Sequence, residues 1–339
     1  MRNRSKIFYV MPIAVLPMLF VGALSYANDY VSSAESGAQD SVNDALSPIS
    51  AMMVEHAERG LLLGIANTGK HLVAVGGYGD IIISEDGIRW TQVHSPVDIT
   101  LTSISFANEN CGWVVGHDAA ILHTVDGGYV WTVQNYQPQT NTPLFSVLAI
   151  DEQHALAVGA FGTLKITDDG GQHWQDVNDN SITVNKLHLN AVTRLRNGDL
   201  FVVGERGIAA ISNDGRTWNK LPSPYDGSFF GVLPWGERGV VAFGLRGNIY
   251  AMTDARSGNW VKISSPATSS LFGGLATTKG DAVLVGSDGN LIALDSLGRT
   301  GRIASAQHTQ GQALTFASVA GHDGKLILVG TAGVTRFIP

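Results

Sequence analysis

The sequence predicts an all-β fold, a seven-bladed β-propeller with four antiparallel strands per blade. Three observations lead there: a glycine-centred motif recurs seven times, short alternating runs fill the intervals, and an Asp-Gly turn closed by tryptophan follows several copies. The motif reads apolar-apolar-Gly-x-x-Gly and stands at "AVGGYG" (Gly76), "VVGHDA" (Gly116), "AVGAFG" (Gly159), "VVGERG" (Gly204), "AFGLRG" (Gly244), "LVGSDG" (Gly286) and "LVGTAG" (Gly330). The intervals are 40, 43, 45, 40, 42 and 44 residues. Such a period, with several short strands in each unit, is what a propeller blade requires.

Each unit divides into the same strands. Around Gly116, "LTSISFA" precedes the turn "NENCG", followed by "WVVG", the turn "HDA", "AILHT", the turn "VDGGY" and "VWTVQN". The alternation of apolar residues marks half-buried strands. Thirteen residues before each later glycine stands a small residue: Ser103, Ser146, Ala191, Gly231, Gly273 and Ala317; in the first unit Gly64 lies twelve before Gly76. Small side chains suit an innermost strand, where blades converge on the axis. The seventh unit has three strands, "TFASVAG", "KLILVG" and "VTRFIP". The segment "ISAMMVEHA" (Ile49 to Ala57) is therefore expected to close the last blade as its fourth strand and remove an open edge.

The Asp-Gly turns are "SEDGIRW" (Asp86, Trp90), "TVDGGYVW" (Asp126, Trp131), "TDDGGQHW" (Asp169, Trp174) and "SNDGRTW" (Asp214, Trp218), which match the Asp-box pattern of neuraminidase-type repeats. The carboxylate can accept turn amide hydrogens, glycine supplies positive φ, and the tryptophan covers the turn. These residues read as structural, because a residue repeated around a ring points in several directions and cannot converge on one substrate. The fifth unit keeps a degenerate form, "TDARSGNW", and the sixth, "LDSLGRTGRI", lacks the tryptophan, so looser outer turns are expected there.

Composition narrows the class. The chain opens with Arg2, Arg4 and Lys6 before an apolar run ending at Ser25-Tyr26-Ala27, which reads as a secretory signal over residues 1–27. An uncleaved anchor is the alternative, weakened by Pro12 and Pro17. Residues 28–46 are polar and acidic and read as a flexible leader, leaving residues 47–339 for the propeller. Without the signal the chain carries 19 Lys+Arg against 29 Asp+Glu, the wrong sign for a nucleic-acid binder. Cys111 is the single cysteine; it allows no internal disulfide and reads as a small buried hydrophobe.

Propeller geometry sorts the loops onto two faces. On one, the turns between second and third strands present Tyr78, His117, Asp118, Phe161, Arg206, Arg246 and Asp288, with Tyr136, Tyr225 and Phe229 on neighbouring connections. Exposed aromatics and arginines are the usual anchors of a protein interface; the alternative is that Tyr78 and Phe161 plug the tunnel mouth. On the Asp-box face, Arg194, Arg196, Arg216, Arg238, Arg256 and Arg299 form a basic sector that could receive an acidic segment or anionic lipid. Scattered solvated charge is the alternative there. No nucleophile elbow, zinc-protease helix, phosphate loop or Cys pair is present, and His117 and His123 have no third ligand nearby in sequence. No metal or cofactor is expected, and the free protein is expected to be monomeric. A small ligand in the central tunnel stays open.

Units such as "GAFGTLKITDDGGQHW", preceded by "FANENCGWVVG", resemble the photosystem II stability/assembly factor family of seven-bladed propellers and its non-photosynthetic bacterial relatives. The resemblance runs from about Ser47 to Pro339 and is most specific in the first three blades. It implies a non-catalytic protein that binds a newly made membrane subunit through an arginine-bearing surface. For the bacterial branch it implies a periplasmic accessory of a transporter complex, of the resistance-nodulation-division type. The competing reading is a glycan-binding or sialidase-like Asp-box propeller, which would need an arginine trio; Arg206 and Arg246 are the clear arginines on the face opposite the boxes.

Overall fold

The computed structural model describes residues 47–277, 280–305 and 314–338; the expected signal and leader lie outside them. Seven antiparallel sheets form seven blades. The inner strands are Leu62–Asn67, Leu101–Phe106, Leu144–Ala149, Leu189–Arg194, Phe229–Trp235, Leu271–Ala276 and Phe316–His322, and each pairs with the strand that ends in a repeat glycine.

The repeat glycine is an architectural necessity. In every blade it pairs with the first residue of the inner strand, next to a bulge of one extra residue in that strand. A Cβ at Gly76 would land on the Leu61 carbonyl oxygen, and one at Gly330 on that of Thr315, with the same clash at the five others. The backbone thus approaches too closely for any side chain. The small residues of the inner strands have a matching cause: a Cβ at Gly273 would strike the backbone of Ala317 and Ser318 in the next blade.

The second strands are fully buried in blades 1 to 5, for example Leu72–Gly76 and Gly112–Gly116. Their apolar residues fill a separate core between each pair of neighbouring blades. In the first five of these cores the Asp-box tryptophan, or Trp260 in its degenerate counterpart, joins the packing. Between blades 5 and 6, Leu233 and Trp235 pack at the margin; between blades 6 and 7, Phe337 does so.

Two expectations are corrected. Ile49–Ala57 is not a fourth strand: the last sheet has three strands among the described residues, and this segment pairs with none. Gln92, on the outer strand of blade 1, captures the groups a strand would need, donating to the Met52 carbonyl at 3.0 Å and accepting from the Val54 amide at 2.7 Å. His56 then turns the chain through φ 66°, and a short 3-10 turn, Ala57–Arg59, follows. Ala57 is buried with Leu62, Ile327 and Val329, so the joint between last and first blades closes by packing. The outer turn of blade 6 is not loose either: Asp295 accepts from the amides of Leu297 and Arg299 at 3.0 and 2.8 Å.

Candidate functional site

On the Asp-box face each box is a closed hydrogen-bond unit. Asp86 accepts from the amides of Ile88 and Arg89, both at 2.8 Å, and the Ser84 hydroxyl receives the Gly87 amide at 2.9 Å. Asp126 takes the amides of Tyr129 and Val130, Asp169 that of His173, and Asp214 those of Arg216 and Thr217. Amide donors favour the ionised carboxylate. The His173 amide and imidazole hold Asp169 down to about 2, and the Thr217 and Arg216 amides lower Asp214. Partial burial opposes the effect at Asp126, yet its hydrogen bonds to Val130, Thr124 and Tyr129 still lower it. Trp131 and Trp218 are buried and donate their indole N–H to the box glycine carbonyls at 2.7 and 3.0 Å. Trp174 instead donates to Gln134, while Trp90 sits half-buried against the core of the seam.

The arginines of this face are engaged. Arg256 holds Asp199 of the preceding blade with two bonds of 2.9 and 2.6 Å, and Asp199 in turn raises its already high pKa. Arg216 pairs with Asp168 of blade 3, Arg238 with Asp254 at 3.1 Å, and Arg299 with Asp295 at 2.6 Å. Arg196 donates to the Thr277 carbonyl of blade 6 at 2.6 Å. Arg194 is exposed at the end of its strand. Charge on this sector is therefore largely balanced within the ring.

The opposite face is built differently. The residue after the first turn position adopts the left-handed conformation at Tyr78, Asp118, Phe161, Arg206, Arg246 and Asp288, with φ between 52° and 57°. For non-glycine residues this costs roughly 1–2 kcal/mol. The same backbone thus presents tyrosine, phenylalanine, aspartate or arginine on six blades. Tyr78 is 84% exposed and Phe161 53% exposed, so neither is buried as a plug. Phe161 is nonetheless held: its amide donates to His188 Nδ1 at 3.0 Å, and the two rings meet edge to face at 5.3 Å.

Arg206 and Arg246 are exposed on adjacent blades. Among the described residues neither forms an ion pair with a carboxylate, in contrast to the arginines opposite. Arg246 borders a groove of about 470 Å³ that also takes in Asn248, Lys262, Ser264 and Ser265. Lys262 was not among the residues singled out from the sequence; strand pairing with Tyr250 brings it there, its ammonium 5.8 Å from that ring. Phe229 is corrected: it is fully buried, stacked on Trp260 at 5.8 Å, because it opens an inner strand. Tyr225 is half-buried, its hydroxyl donating to the Leu245 carbonyl at 3.0 Å.

The remaining polar candidates are accounted for locally. Burial pushes the Cys111 thiol up to about 11, with help from Glu152 and Asp151, and its sulfur lies 3.4 Å from His123 Nε2. Burial also lowers His117 and His123. Among the described residues no three His, Cys, Asp or Glu side chains gather as metal ligands, and no helix is long and apolar enough to cross a membrane. A central cavity of about 190 Å³ is lined by inner-strand groups including Ser103, Ser146, Asn190 and Phe272.

A ring of seven blades, pinned by Asp boxes on one face and displaying variable side chains on the other, defines the class: an Asp-box β-propeller. Two overlapping stretches, residues 82–147 and 134–311, match the family described as photosynthesis system II assembly factor YCF48. Together they span most of the chain, and the protein belongs to that family. A chloroplastic photosystem II stability/assembly factor, HCF136 of Guillardia theta, is 41% identical over 49 residues, which is 14% of this chain and 12% of that protein. Among solved structures, YCF48 bound to D1 peptide superposes with a TM-score of 0.66 at 19% identity, covering 86% of this chain and 99% of that one. YCF48 from Cyanidioschyzon merolae gives 0.64 at 16% identity, over 84% and 98% of the two chains. An ancestral GH74 enzyme gives 0.66 at 13% identity, over 82% of this chain and 44% of that one; the likeness is one of fold.

Proposed function

We propose that the protein is a non-catalytic scaffold that docks on a membrane protein complex and assists its assembly or transport function. It does so from the periplasm, after export through residues 1–27, and a resistance-nodulation-division transporter is the partner class in view. Family membership supports the scaffold role, and a structural neighbour is a family propeller with a D1 peptide bound. The observation that carries the docking site is the contrast between arginines. Among the described residues Arg206 and Arg246 stand exposed on neighbouring turns without carboxylate partners, with the groove of Lys262 beside Arg246, whereas Arg216, Arg238, Arg256 and Arg299 of the Asp-box face are paired. Unpaired guanidinium groups keep their forked donors for a partner's carboxylates and carbonyls.

The test is crosslinking of a tagged copy in intact cells, followed by membrane solubilisation and identification of what co-purifies. One membrane complex should be enriched, and the double variant Arg206→Gly/Arg246→Gly should lose it. Capture that survives this double variant but disappears on reversing Arg216, Arg238 and Arg256 to Glu would move docking to the Asp-box face. Retention on a glycan array with no protein captured would favour the glycan-binding reading.

A further inference from the structure

The variable positions of an Asp box are open to different side chains, because the turn needs only their main-chain N–H groups; Arg89 and His173 add a side-chain bond to the carboxylate, whereas Tyr129 and Val130 give only their amides. Blades 3 and 4 fill them with polar side chains, among them Asp168, His173 and Arg216. Blade 2 carries Val125, Tyr129 and Val130 instead, 71%, 49% and 62% exposed, and blade 1 carries Ile88, 57% exposed. Single exposed apolar residues are ordinary, but a group on adjacent turns marks an interaction surface. Nothing in the turn geometry calls for it.

Tyr129 walls a groove of about 480 Å³ between blades 1 and 2, together with Lys70, Glu85, Glu109 and Asp126. Its ring lies 5.3 Å from that of His71, whose Nε2 is 2.7 Å from the Gly127 carbonyl oxygen, so this wall is fixed from behind. Lys70 and Glu85 also border a second groove of about 510 Å³ toward blade 7, which adds Asp323 and Lys325. The two grooves together hold four carboxylates and two ammonium groups, and Lys70 is bound to Glu109 at 2.9 Å. The strip is thus apolar at its crest and acidic in its furrows.

We propose that this strip over blades 1 and 2 docks an extended segment of a partner polypeptide in which basic and apolar residues alternate. Charge complementarity selects that occupant: lysine or arginine meets Glu85 and Asp323, and the intervening apolar side chains meet Tyr129 and Val130. The same carboxylates repel nucleic acid and anionic lipid. This surface is independent of Arg206 and Arg246, which lie on the other face.

The test measures binding of a short synthetic peptide alternating lysine and leucine to the purified protein, by fluorescence anisotropy, with a glutamate-leucine peptide as control. The lysine peptide should bind saturably and the control should not. Binding should weaken at least about tenfold in Val125→Ser/Tyr129→Ser/Val130→Ser and again in Glu85→Lys, and stay unchanged in Arg206→Gly/Arg246→Gly. The substituted side chains are solvent-exposed, so the melting temperature should hold; if the triple variant is destabilised, Glu85→Lys alone decides. A smaller loss in the deciding variant, or no saturable binding below about 1 mM, overturns the proposal.

Discussion

The two faces of the ring solve the same problem, a tight turn between antiparallel strands, in opposite ways. On the Asp-box face the side chain makes the turn: Asp214 gathers the Arg216 and Thr217 amides and Trp218 seals the unit from above. On the other face the displayed side chain takes no part in closing the turn, which a main-chain bond such as that from the Asn248 amide to the Leu245 carbonyl makes. Arg246 sits at φ 56° with no side-chain cap, as does Asp288 at φ 57° one blade further. Where a side chain is part of the turn it repeats; where the backbone suffices, it is left free to differ. Variation at a constant backbone position is therefore the better guide to recognition in this fold.

The comparison breaks most visibly at the seal. Trp218→Ala removes a buried indole from the core between blades 3 and 4 and should cost about 3–5 kcal/mol, read as a lowered midpoint in denaturant unfolding. A loss below about 1 kcal/mol would show that the box needs no cover. Next comes the cap itself. Asp214→Ala leaves the two amides without an acceptor and should cost about 1–3 kcal/mol, whereas Asp288→Ala on the opposite face should be close to neutral. Equal costs would erase the distinction between the faces.

Acid gives a third, graded test. The box carboxylates titrate below their unfolded value of 3.8, Asp169 near 2. A depressed folded-state pKa stabilises the fold fully above the unfolded value and ceases to do so as pH falls through the folded one. Unfolding midpoints should hold above about pH 5 and fall between about pH 4 and 2, with a shallower fall in Asp169→Asn. The smallest effect belongs to the display turns. Glycine adopts the left-handed region freely, so Arg206→Gly and Arg246→Gly should leave stability unchanged or raise it by up to about 1 kcal/mol each while partner capture is lost. A clear destabilisation would mean these arginines hold the ring together after all. Consistent with a scaffold, a fluorogenic sialoside panel should show no turnover, and turnover abolished by Arg206→Gly would favour the sialidase-like reading.

Much of this was legible in the sequence because the determining interactions are local. Asp, Gly and Trp at fixed spacing describe a turn that needs no distant partner, and a glycine every 40–45 residues reports a close approach within one blade. What was not legible depends on contacts between blades. No spacing announces that Gln92 seizes Met52 and Val54 and so denies the last blade its expected fourth strand. Nor could it show that Arg256 is held by Asp199, 57 residues away, and Arg216 by Asp168, 48 away. In the sequence these arginines look as free as Arg206. The burial of Phe229 is hidden for a related reason: it stands beside a polar connection, yet its strand carries it into the core.

The left-handed residue of the display turns has a consequence for how a partner is oriented. Each such residue has the same backbone conformation at the same position of its blade, so the ring resembles a dial whose mounting is constant while its marks vary. A partner that grips Arg206 and Arg246 is thereby aligned to one angular setting, with Phe161 on one flank, Asp288 on the other and Tyr78 further round. Exchanging side chains between two marks should turn the bound partner about the axis without disturbing the ring beneath it.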